Sequence, residues 1–289
     1  MTGIGFIKSK QQNWAKRKGF DTLGGSIPDR GEKNYLNNLT ENLFDHLSKE
    51  SLDCYDSGDG NETKDGKTQL AKMKALHSSS AIVVNLFQYW QNKDVHPIVY
   101  ACGLCSKTRN NLINKIKFEE KFEISKDKSL FPHSPNIDVV IRDSQSLVYA
   151  IESKFTEPYN SRKYNKIGQK YIDNVSFWNG LSNLYELAKE ISPDNNKFHF
   201  LDAAQLIKHI LGLKRNHNKS GFRLLYLWYD VIGQDGTEHR KEIEQFTEIA
   251  KRDNVKFSQV TYQEVIIKLA QEFYLNNEKY CNYLTDRYL

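Results

Sequence analysis

The chain has 289 residues, of which 27% are charged and 12% are aromatic, and its formal net charge is +5 at pH 7. This mixture is typical of a globular protein with a substantial core, and the mild positive charge is weak evidence for a polyanionic partner such as nucleic acid. No apolar run approaches the roughly 20 residues of a membrane span, and the first residues begin no signal peptide. We therefore expect a cytoplasmic protein with no membrane partner.

The four cysteines are too few and too scattered for a disulfide framework. Cys102 and Cys105 have C-x-x-C spacing, but no second pair of ligands follows at the spacing of a zinc site. The sequence therefore favours buried free thiols over zinc at this position.

The first part of the chain, residues 1–68, is predicted to be a helical extension. A basic helix is expected over residues 6–18, and apolar residues at helical spacing predict an amphipathic helix over residues 34–49. Residues 51–67 carry four aspartates and three glycines, which predicts a mobile acidic loop. We place a second domain, residues 69–289, after this loop.

The second domain is predicted to begin with two helices and a strand. The helices are expected at about residues 69–91 and 109–117, and an alternating pattern predicts a strand over residues 118–124. Three consecutive serines, residues 78–80, are poor helix formers inside the first helix, so we expect them to allow close packing or approach to a substrate.

The most informative stretch is a predicted hairpin formed by residues 134–141 and 149–155. Both runs are rich in β-branched and aromatic residues, and a short polar turn lies between them. These apolar strands nevertheless contain Asp138, Glu152 and Lys154, residue types that are rarely buried without a partner or a function.

The charged residues of the hairpin suggest a metal site. Glu152 and Lys154 share one face of their strand because successive side chains alternate. An aspartate and a glutamate that converge there repel each other unless a divalent cation lies between them. Mg²⁺ fits best, with Mn²⁺ as a substitute, because Mg²⁺ prefers hard oxygen ligands and is commonly held by one or two carboxylates plus phosphate oxygens.

The hairpin register decides whether this site can form. An even-numbered loop without a bulge would pair Asp138 with Ile151, and the two carboxylates would then lie on opposite faces. We therefore predict a loop of odd length, or a β-bulge near Asp138, which brings Asp138 onto the face of Glu152 and Lys154.

These residues resemble a known motif. Pro135-Asn136-Ile137-Asp138, thirteen further residues and Glu152-Ser153-Lys154 resemble the PD-(D/E)XK motif of the restriction-endonuclease-like nuclease superfamily, with Asn136 where the motif has Asp. A wider order of residues across roughly positions 70 to 230 is similar to bacterial proteins grouped as predicted restriction endonucleases. Its segments are His77–Ser80, Asn85–Phe87, Phe118–Glu119, Asp138, Glu152–Glu157 and Gln205–Ile207.

The resemblance implies a fold and an activity. The fold would be α/β, with a restriction-endonuclease-like core whose central mixed β-sheet has four to five strands flanked by helices. The activity would be Mg²⁺-dependent endonucleolytic cleavage of double-stranded DNA, in restriction or defence against phage. Restriction members of the superfamily act as dimers, so a homodimer is expected, with a cognate methyltransferase or another defence-system protein as a possible partner.

The resemblance also assigns roles to individual side chains. Asp138 and Glu152 would hold the metal, and Glu119 would complete the site, with Glu120 as the alternative. For either of these two glutamates, an exposed carboxylate on an edge strand is at least an equal alternative. Lys154 would position the nucleophile or neutralise developing charge. Gln205, on a helix predicted over residues 201–213, would hydrogen-bond the attacking or metal-bound water.

Several basic residues are candidates for contact with nucleic acid. One group follows the hairpin among aromatic residues and the other follows the helix of Gln205, although ordinary surface loops are an equal alternative for the first group. The candidates are Arg162, Lys163, Lys166, Lys214, Arg215 and Lys219. His209, one turn after Gln205, could contact phosphate, but a solvated or core-edge histidine is favoured.

The rest of the chain alternates helices with strands. A nearly continuous apolar run over residues 222–232 predicts a strand that is covered on both faces and lies beside the hairpin. The other predicted elements are helices at residues 180–190, 240–252, 262–275 and 278–288 and a strand at residues 255–260.

Two other functions remain open from the sequence. The chain could be a nucleic-acid-binding or assembly subunit that keeps a nuclease fold without cleaving, in which Lys154 merely pairs with Glu152. It could also be a nuclease for RNA, single strands or free ends, because the metal chemistry would be the same.

Overall fold

The computed structural model describes residues 1–57, 61–160 and 166–289. The helices in these ranges are α1 (Gly3–Arg17), α2 (Lys49–Asp56), α3 (Ser79–Phe87), α4 (His96–Ala101), α5 (Gln169–Asp173), α6 (Ser182–Glu190), α7 (Ala203–His217), α8 (Gln234–Arg252), α9 (Tyr262–Glu272) and α10 (Glu278–Tyr288). The strands are β1 (Thr22–Leu23), β2 (Tyr35–Leu36), β3 (Leu112–Lys121), β4 (Asn136–Asp143), β5 (Val148–Lys154), β6 (Phe222–Trp228) and β7 (Phe257–Thr261).

A five-stranded mixed sheet forms the centre of the fold, in the order β3-β4-β5-β6-β7. The strands β3, β4 and β5 pair antiparallel, whereas β5, β6 and β7 pair in parallel. The apolar strand β6 lies beside β5 and is buried except at Arg223, as expected of a parallel strand covered on both faces. The predicted α/β fold with a mixed central sheet is confirmed.

Helices cover both faces of this sheet and create two cores. On one face, α3, α4, α9 and α10 pack around residues such as Val139 and Leu225. On the other face, α6, α7 and α8 pack around residues such as Ala150 and Leu224. Among the described residues, no helix has the length and apolar character needed to cross a membrane.

The N-terminal part of the chain packs against the C-terminal helix. Arg287 is only 1% exposed, donates to Oε1 of Gln11 at 3.0 Å and to the carbonyl of Asn42 at 2.8 Å, and lies over the ring of Trp14. The guanidinium group of Arg287 is thus buried against neutral acceptors that belong to the first 68 residues. The division into domains at residues 68 and 69 stays a prediction.

Two predicted elements in the first part of the chain differ from the structure. The helix predicted over residues 34–49 is wrong, because the segment contains β2 and a short 3₁₀ turn, Leu39–Asn42. The side chain of Asn42 donates to the carbonyls of Met73 and Ala75 at 2.7 and 2.8 Å, and these buried bonds hold the chain in a non-helical path. Residues 51–56, predicted as loop, belong to α2, and residues 58–60 of that loop lie outside the described residues.

Two further predicted helices are also wrong. Only α3 and short 3₁₀ turns occupy residues 69–91, because Ser78 is extended and its Oγ accepts from the amide of Ala81 at 3.2 Å, which starts a new helix. Residues 112–117 belong to β3 rather than to a helix. The pairing of β3 with β4 overrides the local pattern, and β3 ends at Lys121, short of the predicted limit at residue 124.

Candidate active site

The hairpin of β4 and β5 has the register that the site requires. Val139 pairs with Ile151 and Ile141 with Tyr149, so one more step places Asp138 opposite Glu152. The last ladder pair is Arg142 with Val148, and beyond it the amide of Asp143 donates to the carbonyl of Leu147 at 3.1 Å, which leaves three residues, 144–146, in the loop. Ser146 takes a left-handed conformation with φ of 67°. A three-residue loop that ends in a left-handed residue is a common hairpin connection. The prediction of an odd-numbered loop is confirmed.

The turn is held by a buried carboxylate at the end of β4. Oδ1 of Asp143 accepts from the amides of Gln145 and Leu147, both at 2.9 Å, and Oδ2 accepts from Arg109. Asp143 is 1% exposed. These bonds stabilise the turn, while the ladders of β4 and β5 with each other and with β3 and β6 maintain the register.

At the other end of the hairpin the ladder stops and the carboxylates meet. Oδ2 of Asp138 accepts from the backbone amide of Ser153 at 2.7 Å, next to the last ladder pair. Glu152 is fully buried, and its Oε1 accepts from Nζ of Lys154 at 2.7 Å. The structure thus brings together the three hairpin residues singled out in the sequence.

The helix α7 adds two residues to this end of the sheet. Gln205 lines the same cavity as the carboxylates, and its side chain makes no hydrogen bond within the described ranges. Nε2 of His209 lies 2.9 Å from Oε2 of Glu152, without the alignment of a hydrogen bond, and His209 is 1% exposed. The sequence favoured a solvated or core-edge histidine here and did not predict the contact of His209 with Glu152. The available signal was that His209 lies one helical turn after Gln205.

The structure distinguishes the two glutamates of β3. Glu119 lines the cavity, and its Oε2 accepts from Nδ2 of Asn136 at 3.3 Å. Glu120 instead accepts two hydrogen bonds from Arg142, at 2.9 and 2.6 Å. Glu119 has a φ of 53°, a left-handed conformation that is uncommon for a residue other than glycine. Glu119 is therefore the upstream acid available to the site.

These residues enclose a small polar cavity of about 70 Å³. Its volume suits a few water molecules or a partly hydrated cation. The cavity is lined by Tyr55, Ser79, Ser80, Val83, Glu119, Asp138, Glu152, Ser153, Lys154, Glu157 and Gln205.

Burial, together with the crowding of like charges, determines the electrostatics of the cavity. Burial and the neighbouring charges of Glu152 and Glu119 raise the pKa of Asp138 well above its usual range. Burial, the charge of Glu152 and that of Glu62 raise the pKa of Glu119 to about 7. Both groups thus bind a proton more readily than an isolated carboxyl group in the absence of a cation.

The third carboxylate is compensated within the protein. Burial disfavours the charge of Glu152, but Lys154 and His209 outweigh it and lower the pKa of Glu152 to about 2. Burial likewise opposes the charge of Lys154, yet the carboxylates of Glu152, Asp138 and Glu157 raise its pKa. Glu152 and Lys154 therefore form an ion pair at neutral pH.

Comparison with known proteins identifies the family. A family model described as a restriction endonuclease associating with ARP matches residues 8–289. The chain belongs to this restriction-endonuclease family. The match includes nearly all of the N-terminal segment as well as the hairpin, so both belong to one family architecture. No match is found among curated proteins or among solved structures.

The residues of this family member fit a hard divalent cation. Asp138, Glu152 and Glu119 offer oxygen ligands, and Oε2 of Glu152 is buried without a hydrogen bond. No group of three or more His, Cys, Asp or Glu side chains in the described residues is arranged to hold an ion by itself. A cation here would take two carboxylates and complete its shell with water or substrate, which is common for Mg²⁺.

The four described basic candidates, Lys166, Lys214, Arg215 and Lys219, do not line this cavity. Lys214, Arg215 and Lys219 donate to the backbone carbonyls of Phe177, Glu123 and Gly180, at 3.1, 3.0 and 3.0 Å. Lys214 is nine residues after Gln205 on α7, which corresponds to about 14 Å along the helix. Lys166 is exposed, and Arg162 and Lys163 lie outside the described residues. Contact of these six residues with nucleic acid stays a prediction.

Proposed function

We propose that this restriction-endonuclease family member is a Mg²⁺-dependent endonuclease that hydrolyses phosphodiester bonds of double-stranded DNA. The observation that supports the proposal most is the hairpin register, which sets Asp138 opposite Glu152 with Lys154 bound to Glu152. The raised pKa of Asp138 and of Glu119 adds a reason for a cation, because a positive charge would relieve the repulsion between them.

Each residue has a role that follows from its position. Asp138 and Glu152 would hold Mg²⁺ or Mn²⁺, and Glu119 would support them from β3. The bound cation would supply charge neutralisation for the phosphoryl transition state and acidify a bound water. Lys154 stays protonated because of its carboxylate neighbours, so it donates hydrogen bonds to developing negative charge rather than removing a proton. The side-chain amide of Gln205 is free to orient a water molecule in the cavity.

We further propose that the enzyme acts with other protein chains. Superfamily members of the restriction type act as dimers, so a homodimer is the expected assembly. The family description names an association with ARP. A protein of that name is accordingly our first candidate partner in a restriction or defence system, with a cognate methyltransferase as the other.

The first experiment compares cleavage of supercoiled plasmid, linear duplex, single-stranded DNA and RNA, with Mg²⁺ or with EDTA. Wild type is compared with Lys154→Ala and with Lys74→Ala. Lys74 is a matched control, because it also forms an ion pair, with Asp65 at 2.7 Å, and its side chain is 14% exposed against 13% for Lys154. We expect Mg²⁺-dependent cutting of duplex DNA that Lys154→Ala abolishes and Lys74→Ala retains.

Other outcomes would redirect the proposal. Preference for RNA or single strands would keep the chemistry and change the substrate. Binding of DNA by wild type without any cutting, under all metal conditions, would favour the non-catalytic subunit or an enzyme that needs its partner protein.

A further inference from the structure

A second set of side chains lines the same cavity, and none of them belongs to the PD-(D/E)XK pattern. Tyr55 comes from α2, and Ser79 and Ser80 come from the first turn of α3. Both helices pack on the face of the sheet opposite α7. The cavity is therefore closed partly by the N-terminal third of the chain.

Tyr55 is a buried donor without an acceptor. Its side chain is 4% exposed, and its ring packs against Phe118 with 5.8 Å between the ring centroids. Tyr55 lines the cavity, and its hydroxyl makes no hydrogen bond within the described part of the chain. A hydroxyl that belongs to a nearly buried side chain, lines a cavity and lacks a partner in the protein is available to donate to a ligand bound there.

The beginning of α3 supplies further donors. Ser78 caps the nine-residue helix, and Oγ of Ser80 donates to Glu62 at 3.0 Å. The hydroxyl of Ser79 is left without a hydrogen bond in the described ranges. Free amides at a helix N-terminus carry partial positive charge and favour anions. Hydrogen-bond donors of this kind suit phosphate oxygens.

We propose that the Tyr55 hydroxyl, supported by Ser79 and the first turn of α3, binds a non-bridging oxygen of the phosphate that is to be cleaved. This inference rests on the proposed nuclease function and adds a positioning contact to it. Tyr55 remains a donor at physiological pH, because burial and the charges of Glu119 and Asp138 raise the pKa of its phenol. The N-terminal segment would thereby form part of the active site.

The test uses Tyr55→Phe, which removes the hydroxyl and keeps the ring against Phe118. Tyr149→Phe is the matched control, since Tyr149 is fully buried on β5 with an unpaired hydroxyl and does not line the cavity. We expect kcat to fall about 10- to 100-fold in Tyr55→Phe and to stay within about twofold in Tyr149→Phe, as for loss of a hydrogen bond to a charged group. Ser79→Ala should give a smaller loss of about threefold.

Sulfur substitution identifies the atom that Tyr55 contacts. Each stereoisomer of a phosphorothioate at the cleaved bond is given to wild type and to Tyr55→Phe. We expect one stereoisomer to slow wild type and to slow Tyr55→Phe much less, because the variant has already lost that contact. Unchanged cleavage by Tyr55→Phe, or sulfur effects equal in both proteins, would overturn the proposal.

Binding without metal separates this inference from the nuclease proposal. In EDTA, fluorescence anisotropy of a labelled duplex should show that Tyr55→Phe binds about three- to tenfold more weakly than wild type. Tyr149→Phe should bind the duplex as tightly as wild type. If wild type binds but never cuts, weaker binding by Tyr55→Phe still supports the phosphate contact while the nuclease proposal fails. Equal binding by both variants would reject the contact in that case.

Discussion

Two aspartates at opposite ends of β4 have opposite surroundings. Asp143, at the turn, is buried and accepts hydrogen bonds from two backbone amides and from Arg109. Asp138, at the cavity, accepts one backbone hydrogen bond and faces the carboxylates of Glu152 and Glu119. The carboxylate of Asp143 is thus satisfied by hydrogen bonds within the protein, whereas that of Asp138 is repelled by neighbouring carboxylates.

The difference shows how the same residue type can serve structure or chemistry. The partners of Asp143 stabilise the loop that sets the hairpin register, and that register places Asp138 opposite Glu152. The stability gained at one end thus maintains an unfavourable arrangement at the other. Crowded carboxylates of this kind persist in proteins mainly where a ligand or a reaction needs them.

The largest expected effect is loss of cleavage in Asp138→Asn. The amide keeps an oxygen for the Ser153 amide but removes the charge that would hold the cation, so we expect at least a 10³-fold fall in kcat, or about 4 kcal/mol. The free energy of unfolding at pH 8 should not fall, because a repulsive charge is removed. Single-turnover cleavage and urea unfolding measure the two quantities. Cleavage near the wild-type rate would exclude Asp138 from the site.

Asp143→Ala should lower stability and retain activity, which is the reverse of the result expected for Asp138→Asn. It leaves the amides of Gln145 and Leu147 and the guanidinium of Arg109 without their acceptor, so the free energy of unfolding should fall by about 3 kcal/mol. Urea unfolding measures this loss, and activity per folded molecule should remain close to wild type at low temperature. An inactive but equally stable variant would show that the turn does more than hold the register.

Glu119→Gln tests the charge crowding through pH. Folding raises the pKa of Glu119 from 4.5 to about 7, so the folded state binds a proton that the unfolded chain has already lost between these values. The unfolding free energy of wild type without divalent cations therefore decreases across this window, and Glu119→Gln should be more stable at pH 8 by about 2 kcal/mol.

The difference between wild type and Glu119→Gln should vanish near pH 4, where the carboxyl group is protonated in both states. Mg²⁺ at pH 8 should reduce the difference, since a bound cation stabilises wild type more. Urea unfolding at several pH values measures it. A stability difference that is independent of pH would mean that Glu119 is not crowded by its neighbours.

The hairpin and its register could be predicted because their signals are local. The β-branched and aromatic runs of β4 and β5, the polar turn and the need to bring Asp138 onto the face of Glu152 are all contained within about 20 residues. The helices α7 to α10 were also predicted close to their observed positions, since each has a clear apolar stripe.

The parts that failed depend on distant contacts. The bonds of Asn42 to Met73 and Ala75 prevent the helix predicted over residues 34–49, and no pattern within that segment reports them. The contribution of Tyr55 to the cavity likewise depends on how α2 packs on β3. The sequence favours a solvated or core-edge position for His209, because its burial beside Glu152 follows from the packing of α7 and not from the local pattern.

The smallest expected effect concerns the basic residues at the end of the sheet where the turn between β4 and β5 lies. Lys219 follows α7, just before β6 begins beside Val148, and its ammonium group donates to the carbonyl of Gly180. Because it lies far from the carboxylates, Lys219→Ala should leave kcat unchanged and weaken duplex binding by about threefold or less. One lost phosphate contact should lower the slope of log affinity against log salt by about one. Anisotropy titrations at several salt concentrations measure that slope.

An unchanged slope would mean that Lys219 has a purely structural role. A large fall in kcat would show that nucleic acid bound near Lys219 is coupled to the distant cavity.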